Sequence, residues 1–200
     1  MRDAGESKKQ ISPLRETQRK LAEAKFFFAL LKRVEDAGPI TKEQLDDEAT
    51  YFLSALVGAT YSVLQYLKKE GKRALRPRRD PKLALHEDSL EKEIAAINQQ
   101  NGLLYDEPAR GRDSRGRGLR HLYVHHKMVD AQHHERTIGT LGSAPLGRLR
   151  LGEGETVRSL YVADPRTVSP VQIVRFMEQH LRELEQLVVR WEHETRSLSE

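Results

Sequence analysis

The 200-residue chain has no cysteine, no long apolar run and almost no net charge, with 34 Lys plus Arg against 30 Asp plus Glu. Without cysteine there can be no disulfide, no thiolate metal site and no cysteine nucleophile, which fits a reducing compartment and makes the cytoplasm the expected location. The longest apolar stretch, Phe26 to Leu31, falls far short of the ~18–20 residues that a membrane span requires. Residues Met1 to Gln10 are polar and mixed in charge, unlike a signal peptide. No membrane association is expected. A chain of this length reads as one domain, able to bury roughly 70% of the surface its unfolded form exposes.

The surplus of +4 is unevenly placed. Residues 71–120 hold 12 Lys/Arg and 8 Asp/Glu, and the rest of the chain is balanced. Two dense basic clusters lie in that quarter: Lys72, Arg73, Arg76, Arg78 and Arg79, and then Arg110, Arg112, Arg115, Arg117 and Arg120. Both are mostly arginine, whose planar fork matches phosphate oxygens in pairs, so Gly/Pro-rich segments carrying it can track a polyanion backbone. The competing reading is a solvated loop with no partner.

The remaining pattern predicts a mainly α protein: a four-helix up-down bundle with an extra short helix and a small β-hairpin insertion before the last helix. Residues 1–11 read as a disordered tail, residues 12–196 as one helical domain, and residues 135–165 as the β-rich insertion. Ser12-Pro13 opens a first helix that Gly38-Pro39 closes. Thr41 and Gln44 form a capping box for a second, whose stripe runs through Leu45, Phe52, Leu56, Val63 and Leu67 until Lys69 and Gly71 end it. The two make an antiparallel hairpin. Asp88 to Gln100 reads as a short helix, and Arg117 to about His134 as a main one. Thr137 to Ala163 carries β-branched residues, glycines and short alternations, which predict two or three strands. Ser169-Pro170 with Gln172 is a second capping box, opening a last helix to about Thr195 with Val171, Met177, Leu184 and Trp191 on its buried face.

Five of the 8 histidines fall between His121 and His134. One reading is a polar helix surface. A second is a metal site, since His121 and His125, like His126 and Asp130, are spaced by four as one helical face requires; there is no HExxH glutamate and no cysteine pair, and neither a metal nor another cofactor is expected. A third uses histidine as acid or base beside arginine, in Arg120-His121-Leu122-Tyr123-Val124-His125. Arg175 and His180 repeat the same spacing inside an amphipathic helix. Arg120 is favoured because it opens a helix after an Arg/Gly-rich loop.

Arg120 and His125, with His121 in the polar place after the arginine, match the Arg-x4-His motif of the HEPN superfamily, which the chain resembles. Tyr51-Phe52-Leu53-Ser54-Ala55-Leu56 and Tyr61-Ser62-Val63-Leu64-Gln65 likewise resemble the second helix of uncharacterised bacterial and archaeal HEPN-like proteins. The resemblance implies a helical bundle that cleaves RNA without metal at a homodimer cleft, in the setting of a toxin–antitoxin or defence system with an antitoxin-like partner protein. It implies Arg120, His125 and His121 as catalytic residues, beside which Arg110, Arg112, Arg115 and Arg117 are the expected RNA contacts. Non-catalytic members that bind nucleic acid or a partner protein keep a second reading open.

Overall fold

A computed structural model describes residues 12–37, 42–75, 81–105, 118–125, 131–138, 155–164 and 169–198. The long helices are α1 (Arg15–Asp36), α2 (Lys42–Leu75), α3 (Pro81–Gln100) and α6 (Ile173–Ser197); α4 (Gly102–Tyr105) and α5 (Leu119–His125) are short. Three strands, β1 (Gln132–Ile138), β2 (Glu155–Ala163) and β3 (Pro170–Gln172), form an antiparallel sheet in the order β1-β2-β3 ahead of the last helix.

Apolar residues spaced by three and four build the bundle. Leu14, Leu21, Ala24, Leu31 and Val34 bury one side of the α1 segment. On α2, Leu53, Leu56, Val57, Val63, Leu64 and Leu67 face inward, and Met177, Leu181, Leu184, Val188 and Trp191 do so on α6. Long-range polar contacts give the directions. The N-terminus of α1 has no cap on its own chain neighbour Leu14. The Glu70 carboxylate, near the far end of α2, supplies one. It accepts the backbone N–H groups of Glu16 and Thr17 at 3.1 and 2.9 Å and the Thr17 hydroxyl at 2.7 Å. An anion at a helix N-terminus satisfies orphan donors and opposes the helix dipole, so this contact ties α1 antiparallel to α2. Lys72 reaches Glu87 and Glu91 across the next seam, setting α3 antiparallel to α2. Gln18 to Glu192 and Lys25 to Glu185 set α6 antiparallel to α1.

The sheet is fastened where α1 ends and α2 begins. Leu160 and Val162 point into the core while Ala163 is exposed, the alternation of a strand buried on one face. Beyond the end of β3, the Leu160 N–H is taken by the buried Glu35 carboxylate at 2.9 Å. The Ala131 N–H is taken by the Thr50 hydroxyl at 2.9 Å.

Several boundaries differ from the sequence expectation. The bundle's third long helix is α3, which begins at Pro81 and not near Asp88; a proline suits a first helical position, and Lys72 holds the early part of the helix through Glu87. The Arg/His segment does not continue as a helix to His134. His133 and His134 lie in β1, opposite Leu160 and Ser159. Pairing with the strongly alternating β2 settles that segment, and no local periodicity encodes it. The capping box at Ser169 is not formed either, because Pro170, Val171 and Gln172 pair with Ala163, Val162 and Tyr161, and α6 starts one residue later. Finally, α2 runs past Gly71 to Leu75. Gly71 is buried against α3, where an added Cβ would stand 2.5 Å from Leu90 Cδ2. Thr41, Gly38-Pro39 and the tail 1–11 lie outside the described residues. Among the described residues no helix is long and apolar enough to cross a membrane.

Candidate functional site

Arg120 enters from the first turn of α5. Gly118 and Leu119 before it are buried, and the Leu122 N–H bonds the Gly118 carbonyl at 3.3 Å, closing that turn. The arginine is half-buried, with its guanidinium carbon 3.4 Å from the ring centroid of Tyr61 on α2. A contact this close is a cation–π stack, worth about 0.5–2 kcal/mol depending on how dry it is.

Behind Tyr61 stands Tyr105, delivered by the single turn of α4. Asn101 organises that turn. Its carbonyl accepts the Leu104 and Tyr105 N–H groups at 2.9 and 3.2 Å, and its side-chain amide donates to the Ile97 carbonyl and to Glu183 of α6. The rings of Tyr61 and Tyr105 lie 6.0 Å apart and tilted. Tyr105 is buried, and its hydroxyl oxygen lies 2.6 Å from His180 Nε2 on α6. The Thr60 hydroxyl donates to the Val57 carbonyl at 3.0 Å. Arg120, Tyr61, Tyr105 and His180 thus form one continuous chain of side chains through α5, α2, α4 and α6.

Burial fixes the protonation of this chain. It pushes the Tyr105 phenol well above its ordinary range, although Thr60 and the Arg120 charge act in the opposite direction, so the phenol keeps its proton. Burial likewise lowers His180 from 6.5 to about 4, so the ring is neutral at pH 7. His180 is 1% exposed, and its Nδ1 has no hydrogen-bond partner among the described residues. The nearest carboxylate oxygen, on Glu183, stands 4.0 Å away, too far for a hydrogen bond. The imidazole tautomer decides which of the Tyr105 hydroxyl and Nε2 donates in their 2.6 Å contact.

The expected site residues are divided by these facts. Arg120 opens a helix, as its context suggested. His121 and His125 belong to the backbone of α5, but their side chains lie outside the described residues. Arg110, Arg112, Arg115, Arg117 and His126 also lie outside them. His134 is on β1, where its exposed ring meets Tyr161 edge-on at 5.0 Å. The histidine cluster is therefore shared between a helix and a strand. Among the described residues no group of three or more His, Cys, Asp or Glu could hold a metal ion. In the first basic cluster, Lys72 is paired with Glu91 and Glu87, which raise its pKa, so part of that positive charge is used inside the fold.

The sequence pattern does not point to Tyr105, and it presents His180 only as the histidine of the second Arg-x4-His pair. For His180 a signal existed: it lies three residues after Met177 and four before Leu184, on the buried stripe of α6. Its spacing from Arg175 drew attention instead, yet Arg175 is exposed and His180 is core. Compared with known proteins, the chain matches no family model, no curated protein and no solved structure.

Proposed function

We propose that the chain is a HEPN-like, metal-independent endoribonuclease. Arg120 grips the scissile phosphate, and His125 moves the proton at a cleft formed by two copies of the chain. The observation that carries this reading is the holding of Arg120 at the start of α5, its guanidinium carbon over the Tyr61 ring at 3.4 Å from the centroid. A stacked guanidinium presents its fork in one orientation, which suits the bidentate grip on a phosphate. The long α1–α2 hairpin ahead of α5, and the final helix behind a short β region, match the layout the resemblance implies.

In the proposed reaction His125 takes the proton of a ribose 2′-OH as its oxygen attacks phosphorus. The bond from phosphorus to the 5′-oxygen breaks, leaving a 2′,3′-cyclic phosphate on one fragment. The departing 5′-oxygen takes a proton from the second copy's histidine or from His121. Arg120 stabilises the added charge on the pentacoordinate phosphorus. The surrounding setting is a toxin–antitoxin or defence system, in which an antitoxin-like protein restrains the activity.

Purified protein is expected to degrade RNA in the presence of a chelator and to leave 2′,3′-cyclic phosphate ends. Activity that survives Arg120→Ala combined with His125→Ala would overturn the proposed site. In the other reading, a non-catalytic module for nucleic acid or a partner, Arg120 only pins α5 to α2. That reading predicts no cleavage at all, with RNA binding that weakens steeply as salt rises.

A further inference from the structure

We infer that Tyr61, Tyr105 and His180 are positioning residues that set the plane of the Arg120 guanidinium, with His180 as the distant anchor. The geometry is a relay. Arg120 lies on Tyr61 at 3.4 Å, Tyr61 leans on Tyr105 at 6.0 Å between ring centroids, and Tyr105 is tied to His180 by the 2.6 Å hydrogen bond. The Tyr105 and His180 rings also meet edge-on at 5.4 Å.

The chemistry of the core points the same way. Leu64, Leu104, Met177 and Leu184 are all fully buried, and Phe and Leu in place of Tyr105 and His180 would fill comparable space without burying polar atoms. The chain instead buries a phenol and an imidazole, and leaves the imidazole Nδ1 without a hydrogen-bond partner among the described residues. A buried polar pair of this kind is directional where an aliphatic contact is not. It fixes the rotation of Tyr105, and the fixed Tyr105 limits how far Tyr61 can turn. Arg120 carries a long, flexible side chain, so a ring held still beneath it selects one of its many arrangements. Four elements that meet nowhere in the sequence converge on one cation.

The consequence for RNA rests on the ribonuclease reading, but the positioning itself does not, and one experiment separates them. In the full chain with isotope-labelled arginine, the Arg120 side-chain signals, assigned by their loss in Arg120→Lys, are expected upfield because they lie over the Tyr61 ring. Tyr61→Phe keeps the ring and the displacement. Tyr61→Leu removes both. Tyr105→Phe and His180→Leu leave Tyr61 intact, yet they are expected to broaden the Arg120 signals or move them toward those of a solvated arginine, with helix content and Trp191 fluorescence unchanged. If His180→Leu fails to fold, Tyr105→Phe decides alone, since it removes a single oxygen atom. Arg120 signals that stay in place in the folded variants would overturn the inference and reduce Tyr105 and His180 to packing. If the protein cleaves RNA, Tyr105→Phe lowers kcat about tenfold with KM little changed, the pattern of a misoriented group that acts in the transition state. A wild-type protein that cleaves nothing ends the ribonuclease reading and leaves the Arg120 signals to judge the relay.

Discussion

Protonation of His180 should make the stability of this fold depend on pH in a calculable way. Burial lowers its pKa from 6.5 to about 4 in the folded chain. Well above pH 6.5 the ring is neutral in both states and contributes no pH dependence. As pH falls through 6.5 toward 4, the unfolded chain binds a proton that the folded chain refuses, so the unfolded state gains and stability declines. Well below pH 4 both states are protonated and the decline has stopped. The full loss is about 3 kcal/mol, from 1.36 kcal/mol per pKa unit. Between pH 7 and pH 5, where few carboxylates titrate, about 2 kcal/mol is lost. With a urea m-value of about 2 kcal/mol/M, the unfolding midpoint moves by about 1 M. The single tryptophan, Trp191, is a ready reporter: it is buried on α6 and donates its indole N–H to Glu93 at 3.0 Å. His180→Gln supplies the control, because glutamine can accept the Tyr105 hydroxyl and does not titrate. The other ionisable groups cancel in the difference between the two proteins. Parallel curves for wild type and variant over this range would refute the reasoning, showing that the buried imidazole is protonated in the fold or that water reaches it.

The glycines of α2 should respond to alanine with opposite signs. At Gly58 an added Cβ meets nothing within 4 Å, so Gly58→Ala gains helix propensity and stabilises by about 0.5–1 kcal/mol in urea unfolding. At Gly71 the new methyl collides with the fully buried Leu90, and the strain outweighs the propensity, giving a net loss of about 1 kcal/mol. Glu70→Ala strips the N-terminus of α1 of its cap and should cost about 1–2 kcal/mol, read as a lower melting temperature. On the proposed function, changing Arg110, Arg112, Arg115 and Arg117 together to Gln should weaken RNA binding and flatten the slope of log K against log salt by about 3, at about 0.7 per phosphate contact on a single strand. An unchanged slope would mean that these arginines contact no phosphate.

The helices that pack along one face were readable from the chain alone. Met177, Leu181, Leu184, Val188 and Trp191 repeat because α6 buries a single stripe, and the same holds for Leu53, Leu56, Leu64 and Leu67 of α2. Elements decided by a distant partner were not. Ser169, Pro170 and Gln172 satisfy every local rule for a helix start, yet they lose to the ladder with Tyr161, Val162 and Ala163. His133 and His134 continue a helical register until β2 claims them. The early part of α3 has no strong stripe of its own and is secured by Lys72 through Glu87. Each miss has the same origin, a contact between segments far apart in the chain.

The candidate site divides along the same line. That Arg120 opens a helix is local information, carried by Gly118 and the apolar residues that follow. What fixes its guanidinium is not local, because Tyr61, Tyr105 and His180 come from three other elements. The two Arg-x4-His pairs show why spacing alone is a poor guide. On α6 the spacing joins an exposed Arg175 to a buried His180, and helix geometry turns positions five apart by about 140°. The stripe through Met177 and Leu184 already placed His180 inside, where an imidazole needs a partner. A search for that partner among the buried tyrosines, more than among the arginines at matching intervals, leads through Tyr105 and Tyr61 to Arg120. Burial pattern first and motif spacing second is therefore the order in which this chain reveals its polar core.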